Sequence, residues 1–331
     1  MSRPPRVLVL TASVGAGHDV PARHLADGIR ARGGEVELLD VLAVAGPAMR
    51  GAATRLGWRF ELEHLLFARV APTRALGRAA LHRVVGPRLL AAIGGRGPDV
   101  VVSVYPASTD VLGRLRSTGR LTVPAVGAIT DLASLRYWAA PGVDLHLVTH
   151  PESLPEVERI AAPTRVEVVG GLYDRRFLDP PPRTPGPPAI LVSGGGWGVG
   201  DLKGAVEVAR AHAETLVLCG SNEQLRRELD GLGFVDDMPS LFARADVLLH
   251  STAGLTILEA LLSGVRPISY GWGLGHVRAN NRAFRRLGLA RVATTRDELD
   301  AAIAASLAEP RVPLELGDLP DAAELVLTLN G

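Results

Sequence analysis

The chain has 331 residues, a length that favours two domains over a single core and excludes a small stapled scaffold. With 47% hydrophobic and 21% charged residues it can bury a large core, and it lies well away from the composition of a disordered protein. Its 36 basic residues nearly balance 35 acidic ones, so no whole-protein field draws it onto nucleic acid and any basic surface is local.

Met1 to Pro5 lead directly into a strand-like VLVL, without the apolar stretch and cleavage site of a secretory signal. Apolar runs are broken well short of the roughly 18 residues that a membrane span needs. The lone Cys219 cannot close an internal disulfide and fits a reducing compartment. The expectation is a cytoplasmic protein, peripheral at the inner face of the membrane where it meets lipid.

Along the chain, short β-branched or Leu-rich runs alternate with segments of helical length: RVLVLT (6–11), VELL (36–39), DVVVSV (99–104), PAVGAI (124–129), DLHLVT (144–149) and RVEVV (165–169). Continuous apolar strands imply a sheet covered on both faces, the parallel α/β arrangement, so residues 1–175 read as a Rossmann-like lobe. Residues 176–188 contain PPPRTPGPP, too proline-rich to pair in a ladder, and read as an extended linker. The pattern restarts over 189–312 with AILVS (189–193), TLVLC (215–219), GFV (233–235), DVLLH (246–250), RPIS (266–269) and ARVA (290–293). The expected fold class is therefore α/β, two Rossmann-like lobes facing a central cleft. A tail over 313–331 carries the amphipathic DAAELVLTL, which can pack back on the N-terminal lobe.

Residues 49–96 stand apart. Nine arginines face only Glu61 and Glu63, and they interleave with Leu56, Trp58, Phe60, Leu65, Leu66, Phe67, Leu76, Leu81 and Leu89. Such a segment suits an anionic membrane surface, where each basic residue contributes about 1 kcal/mol. It equally suits a solvated Arg-rich helix face packed on a sheet.

After the first strand, TASVGAGHDVPARHLADGIR (11–30) turns at Gly15 and Gly17 into a helix, whose free N–H groups and dipole attract an anion. His18 on that turn can take a proton from a substrate hydroxyl near neutral pH. As a dinucleotide fingerprint the loop is incomplete, because Val20 stands at the third glycine, although Asp40 lies where a ribose-binding acid belongs. A second loop, SGGGWGVGDL (193–202), can cradle phosphate with its amides, but no Gly-Lys-Ser/Thr follows, which disfavours nucleotide hydrolysis. The most informative stretch is 233–270. There DVLLH runs into Ser251-Thr252-Ala253-Gly254-Leu255-Thr256, which opens the helix LTILEALLSG with Gly264 as its stop. Amides of Gly254, Leu255 and Thr256 with the hydroxyls of Ser251 and Thr252 make a nest for a diphosphate, and Glu259 follows close enough to accept from a ribose diol.

These residues carry a resemblance. The segment GFVDDMPSLFARADVLLHSTAGLTILEALLSGVRPI resembles the donor-binding half of inverting GT-B glycosyltransferases, the group of monogalactosyldiacylglycerol synthase and the lipid-linked N-acetylglucosaminyltransferase of peptidoglycan synthesis. The opening VLVLTASVGAGHDVPARHLADGIRARGGEVELLDVL, the stretch TDLASLRYWAAPGVDLHLVTHPES (130–153) and the turn GGLYDRRF (170–177) are similar to the diacylglycerol galactosyltransferases in particular. The resemblance implies an inverting transferase with no cofactor and no metal. It implies a UDP- or other nucleoside-diphosphate sugar as donor and a lipid or other hydrophobic acceptor. It also implies roles: His18 as general base; Gly17, Gly194, Gly195, Gly196, Trp197 and Gly220 at the glycine loops; Val235 on the base; Ser251, Thr252, Ala253, Gly254, Leu255 and Thr256 on the diphosphate; Glu259 on the ribose; Tyr105 and Asp131 on the acceptor. Where the family reads Pro-Gly-Gln-Glu-x-x-Asn against the sugar, this chain has Leu274-Gly275-His276-Val277-Arg278-Ala279-Asn280. Gly275, His276 and Asn280 remain the expected sugar contacts, but the lost Gln-Glu pair opens the way to a deoxy, amino or differently oriented sugar. Tyr105-Pro106 stands where the subfamily usually shows His-Pro, which leaves open an acceptor other than diacylglycerol, including a specialised metabolite. A nucleotide-sugar epimerase of the same fold and a non-catalytic nucleotide-sugar-binding subunit are the competing readings.

Overall fold

A computed structural model describes residues 3–13, 16–46, 71–198, 200–251, 254–271 and 276–330. The chain divides into two compact units, Met1–Tyr173 with Asp318–Gly331, and Asp174–Gly317.

In the first unit the described elements run β1 (Arg6–Thr11), α1 (Ala16–Ala31), β2 (Glu35–Asp40), α2 (Val41–Ala45), α3 (Ala71–Gly94), β3 (Val100–Ser103), α4 (Pro106–Ser117), β4 (Ala125–Ile129), α5 (Leu135–Trp138), β5 (Leu145–Val148), α6 (Leu154–Ala161) and β6 (Arg165–Val168). The strands form one parallel sheet in the order β2-β1-β3-β4-β5-β6. Its central strands are apolar on both sides because both faces are covered. Val7 and Val9 of β1 pack with Leu25 and Ile29 of α1, whereas Leu8 and Leu10 pack with Leu89 and Ile93 of α3 and with Leu112 and Leu115 of α4. Truncating a fully buried leucine such as Leu89 to alanine costs about 2–5 kcal/mol, the lost transfer free energy of the side chain plus that of the cavity left behind.

The second unit runs β7 (Ala189–Ser193), α7 (Leu202–Arg210), β8 (Glu214–Leu218), α8 (Glu223–Leu229), α9 (Met238–Arg244), β9 (Val247–His250), α10 (Leu255–Leu262), β10 (Arg266–Tyr270), α11 (His276–Leu287), β11 (Arg291–Ala293) and α12 (Arg296–Leu307). Its sheet is also parallel, in the order β11-β10-β9-β7-β8. A last helix, α13 (Ala322–Thr328), belongs to the first unit. Asp321 caps it by accepting from Ala323 N–H at 2.9 Å, and Gly170 exchanges backbone bonds with Pro320 and Ala322. Ala322, Ala323 and Val326 are buried against the α1 side of the sheet. Gly28 of α1 leaves the room, since a Cβ there would sit 3.1 Å from that of Ala323.

Two expectations change. The GFV run (233–235) forms no strand; only Leu218 and Leu232 bridge nearby. Leu232 and Phe234 are 43% and 50% exposed, so this run has no covered face to pair it into the sheet. The unit boundary falls at Tyr173/Asp174, ahead of the expected linker, and the proline run lies wholly in the second unit. Arg183 grips Asp246 with Nε at 2.6 Å and Nη2 at 2.9 Å, and Thr184 N–H donates to Ala243 O at 2.8 Å.

Of residues 49–96, those up to Val70 lie outside the described set. The remainder forms α3, whose Val85, Leu89 and Ile93 face the core while Leu76 and Val84 are exposed. Two of its arginines are engaged: Arg78 pairs with Asp110, and Arg88 donates to the Ala45 carbonyl at 2.5 Å.

Candidate functional site

In the first unit the chemistry collects at the carboxyl ends of β1, β3, β4 and β5, where parallel sheets hold their ligands. Thr11 ends β1 and donates to Asp19 Oδ1 at 2.7 Å, pinning the first turn of α1 to the strand. That turn holds Gly17, exposed, and His18, half-buried. His18 Nδ1 lies 2.9 Å from the carbonyl of Val104, the residue after β3. A carbonyl only accepts, so Nδ1 carries the hydrogen and the proton-accepting lone pair of the neutral ring is on Nε2. The ring meets Tyr105 edge-on at 5.1 Å and Trp138 at 5.6 Å. Tyr105 is itself held at the start of α4. Ser103 and Ser108 hydroxyls each donate to its carbonyl at 2.9 Å, and Thr109 adds a third bond at 3.1 Å.

Asp131, just past β4, is buried and accepts from Leu132 N–H at 2.9 Å. Its neighbour His150, just past β5, is buried with Nδ1 2.9 Å from Thr149 Oγ1. Burial pushes His150 down to about 4, against the pull of the Asp131 charge. It is a neutral imidazole at ordinary pH. The other acid of the glycine-loop reading, Asp40, is spent as a helix cap, accepting from Leu42 N–H at 2.9 Å, and Val20 lies within α1. Both observations count against a dinucleotide site.

In the second unit the corresponding ends of β7, β8, β9 and β10 bring the predicted glycine loops together. Gly194 opens a single 3₁₀ turn over Gly195–Trp197. Ser221 N–H and Oγ both donate to Gly196 O, at 2.9 and 3.0 Å, so this turn and Gly220 are stitched edge to edge. Only glycine fits at 220: φ is 57° and a Cβ would lie 2.4 Å from Gly196 O. Gly200 closes in on Ser251 in the same way, with a hypothetical Cβ 2.5 Å from Oγ. Asp201 caps α7 through Gly204 N–H at 2.9 Å and accepts from Tyr270 OH at 3.3 Å, tying the loop to β10.

Gly254 is the N-cap of α10, and Leu255 and Thr256 begin it, so their amides point out of its positive end. Glu259 sits one turn further on, 7% exposed. Burial, with the Asp174 carboxylate adding repulsion, pushes it up to about 7. Gly264, at φ 72°, follows the helix end as expected. Val235 lies on the loop ahead of α9, half-buried, and Asn280 is buried in α11. Thr252, Ala253 and Gly275 lie outside the described residues, as do the side chains of Trp197 and His276.

Residue-by-residue reading passed over four participants. Trp138 closes on His18 from a separate helix. Asp201 and Tyr270 brace the glycine loop from two elements. Asp174, in the quoted turn GGLYDRRF and 85 positions earlier in the chain, adds its charge to the burial that raises Glu259. No periodicity marks any of them, because each contact is made by tertiary folding.

Comparison with known proteins follows the same lines. A family model described as monogalactosyldiacylglycerol (MGDG) synthase matches residues 64–170. The chain is similar to a processive diacylglycerol beta-glucosyltransferase of Staphylococcus saprophyticus, 23% identical over 252 residues, covering 69% of this chain and 64% of that one. It thus spans just under two thirds of that relative's length. A Bacillus cereus protein of the same description is 23% identical over 347 residues, covering 96% and 89%. Among solved structures, Acinetobacter baumannii MurG superposes with a TM-score of 0.60 at 16% identity, covering 98% of this chain and 99% of that one. The Streptomyces sp. SF2575 glycosyltransferase SsfS6, complexed with thymidine diphosphate, gives 0.61 at 17%, covering 98% and 99%. At these identities the structural likeness is one of fold, two Rossmann-like lobes of the kind the sequence resemblance named.

Proposed function

We infer that this GT-B-fold chain is a glycosyltransferase that moves a sugar from a nucleoside diphosphate, UDP first among them, to a hydroxyl of a lipid acceptor of the diacylglycerol kind. The observation that carries the reading is the convergence, at the strand ends of the second unit, of the 194–196 turn, Gly220, Ser251 and the start of α10, with the buried Glu259 one turn behind. Backbone amides and a helix N-terminus suit a diphosphate, and a buried carboxyl suits a ribose diol. The similarity to diacylglycerol glucosyltransferases supports the acceptor class.

In the reaction, the acceptor hydroxyl gives its proton to Nε2 of His18 as its oxygen attacks the anomeric carbon. The bond from that carbon to the diphosphate oxygen breaks on the opposite face, inverting the configuration, and the nucleoside diphosphate leaves with the bonding pair. Charge on the leaving group is met by α10 and the glycine loops, with no metal required. The acceptor is met at an anionic membrane surface, in keeping with exposed Leu76 and Val84 on α3. Among the described residues no helix is long and apolar enough to cross a membrane.

The test has two arms. A thermal-shift panel of UDP, TDP, GDP and NAD(H) is expected to show stabilisation by UDP or TDP and none by NAD(H); the reverse pattern removes the donor site. With diacylglycerol vesicles and a UDP-sugar, added EDTA is expected to leave turnover unchanged. His18→Ala is expected to lower turnover by about 10²-fold or more with nucleotide affinity intact. Wild-type turnover in that variant takes His18 out of the mechanism, and a new sugar isomer formed from UDP-GlcNAc alone marks an epimerase instead.

A further inference from the structure

The base contact and the ribose contact of the proposed donor site come from different elements, Val235 from the loop ahead of α9 and Glu259 from α10. Something must hold them in register. The second unit begins with a short bracket, Asp174–Phe177, that is pinned to α9 and its leading loop and holds a carboxylate within electrostatic range of Glu259. At one end the Asp174 carboxylate reaches Glu259 electrostatically. At the other, Phe177 is buried edge-on against Phe242 of α9 at 5.6 Å.

Between them, Arg176 spans two carboxylates. Its backbone N–H donates to Asp174 Oδ1 at 3.0 Å, and its guanidinium binds Asp174 through Nη2 at 2.7 Å and Nε at 3.1 Å. Its remaining arm, Nη1, donates to Asp237 Oδ1 at 2.7 Å. Asp237 lies two residues after Val235 on the same loop, immediately before α9.

We propose that Arg176 is a positioning residue for nucleotide recognition: its forked guanidinium ties the Val235 loop, through Asp237, to Asp174 beside Glu259, and so sets the spacing at which base and ribose are read together. This rests on the donor-site reading above. Arginine suits the task because a planar fork can hold two carboxylates at once, which an ammonium on a flexible stem cannot do with the same geometry. The guanidinium is 54% exposed, so its value lies in orienting the loop and not in bulk stability.

The experiment is calorimetric titration of the full-length protein with UDP and with TDP, on wild type, Arg176→Gln, Arg176→Lys, Asp237→Asn and the Arg176→Gln/Asp237→Asn double variant, each checked for Tm. Arg176→Gln is expected to weaken binding about three- to tenfold, the scale of one or two exposed ion pairs. Turnover at saturating donor should stay within about twofold of wild type, the split expected when only binding is affected. Lysine should recover part of the loss. Asp237→Asn should reproduce the effect, and the double variant should add little to it, because both changes cut the same link. A lowered Tm with unchanged nucleotide affinity in Arg176→Gln and Asp237→Asn overturns the proposal and leaves a plain surface ion pair. Additive losses overturn it too. Failure of wild type to bind either nucleotide overturns the donor reading itself, and this proposal with it.

Discussion

Glu259 shows how one side chain can be costly to the fold and yet suit the proposed donor site. It is buried against the apolar body of α10, and its carboxyl is pushed up to about 7 from 4.5 by desolvation first and the Asp174 charge second. In the unfolded chain this group ionises near 4.5. Between that pH and about 7 the folded state holds the proton more tightly, so stability falls as pH rises through this window and levels off above it. The penalty at pH 8 is on the order of 3 kcal/mol. Glu259→Gln should remove it. The variant is expected to melt higher than wild type at pH 8 and nearly the same at pH 5, while binding nucleotide more weakly at both. Thermal melts at the two pH values, with and without UDP, check this; a lower melting point at pH 8 would mean that the ionised carboxylate is already compensated within the fold.

At the scale of elements, the two glycine loops differ in why they need glycine. Gly220 is locked by its neighbours: its φ is positive and Gly196 O leaves no space for a Cβ. Gly17 is not, since a Cβ built there meets nothing within 4 Å. Gly220→Ala should therefore cost stability, about 1–3 kcal/mol from strained backbone plus displacement of the 194–196 turn, and should weaken nucleotide binding. Gly17→Ala should leave the melting temperature unchanged or slightly raised, since alanine suits the first turn of α1, and any loss it causes should appear only in turnover, where a substrate must approach the His18 turn. Denaturant melts and steady-state kinetics on the pair separate the cases. A stable Gly220→Ala would show that the turn can reseat around a methyl group. The same scale explains α3, whose basic sequence looks like a free membrane face while Arg78 and Arg88 are already committed to Asp110 and Ala45.

For the whole molecule, the two units carry opposite pH signs. In the first, His150 is held neutral down to about 4, and His146 is pushed down by the same cause, so the unfolded chain takes up protons below 6.5 that the folded unit refuses. That unit loses stability as pH falls from 6.5 towards 4. The second unit, through Glu259, loses stability as pH rises from 4.5 to about 7. Carboxylates with lowered values, such as Asp99 and Asp246, titrate below this range and do not blur it. Hydrogen exchange, corrected for intrinsic rates, should find the β1–β5 amides better protected at pH 8 than at pH 5. The β7–β10 amides should show the reverse order. Parallel behaviour of both units would refute the assignment of these groups as the dominant titrating residues between pH 5 and 8.

What the sequence determined by itself was everything with a local or periodic cause. Short apolar runs alternating with helical segments read as parallel strands, and all but one of those read from the chain are present, from RVLVLT to ARVA. The exception, GFV, is exposed on both flanks, and its apolar residues serve no sheet. The glycine turn ending β7, the helix start at Gly254 and the stop at Gly264 follow from backbone freedom and capping, which are properties of a few adjacent residues. The tertiary structure decided which side chains meet. It set the tautomer of His18 through Val104, closed Trp138 on that ring, stitched Gly220 to Gly196, turned Asp40 from a ribose ligand into a cap, and set Asp174 beside Glu259. Apart from the Asp40 cap, which is local to Leu42, those contacts join segments far apart in the chain, brought together when the sheets bury their faces, and no spacing along the sequence encodes the distance between them.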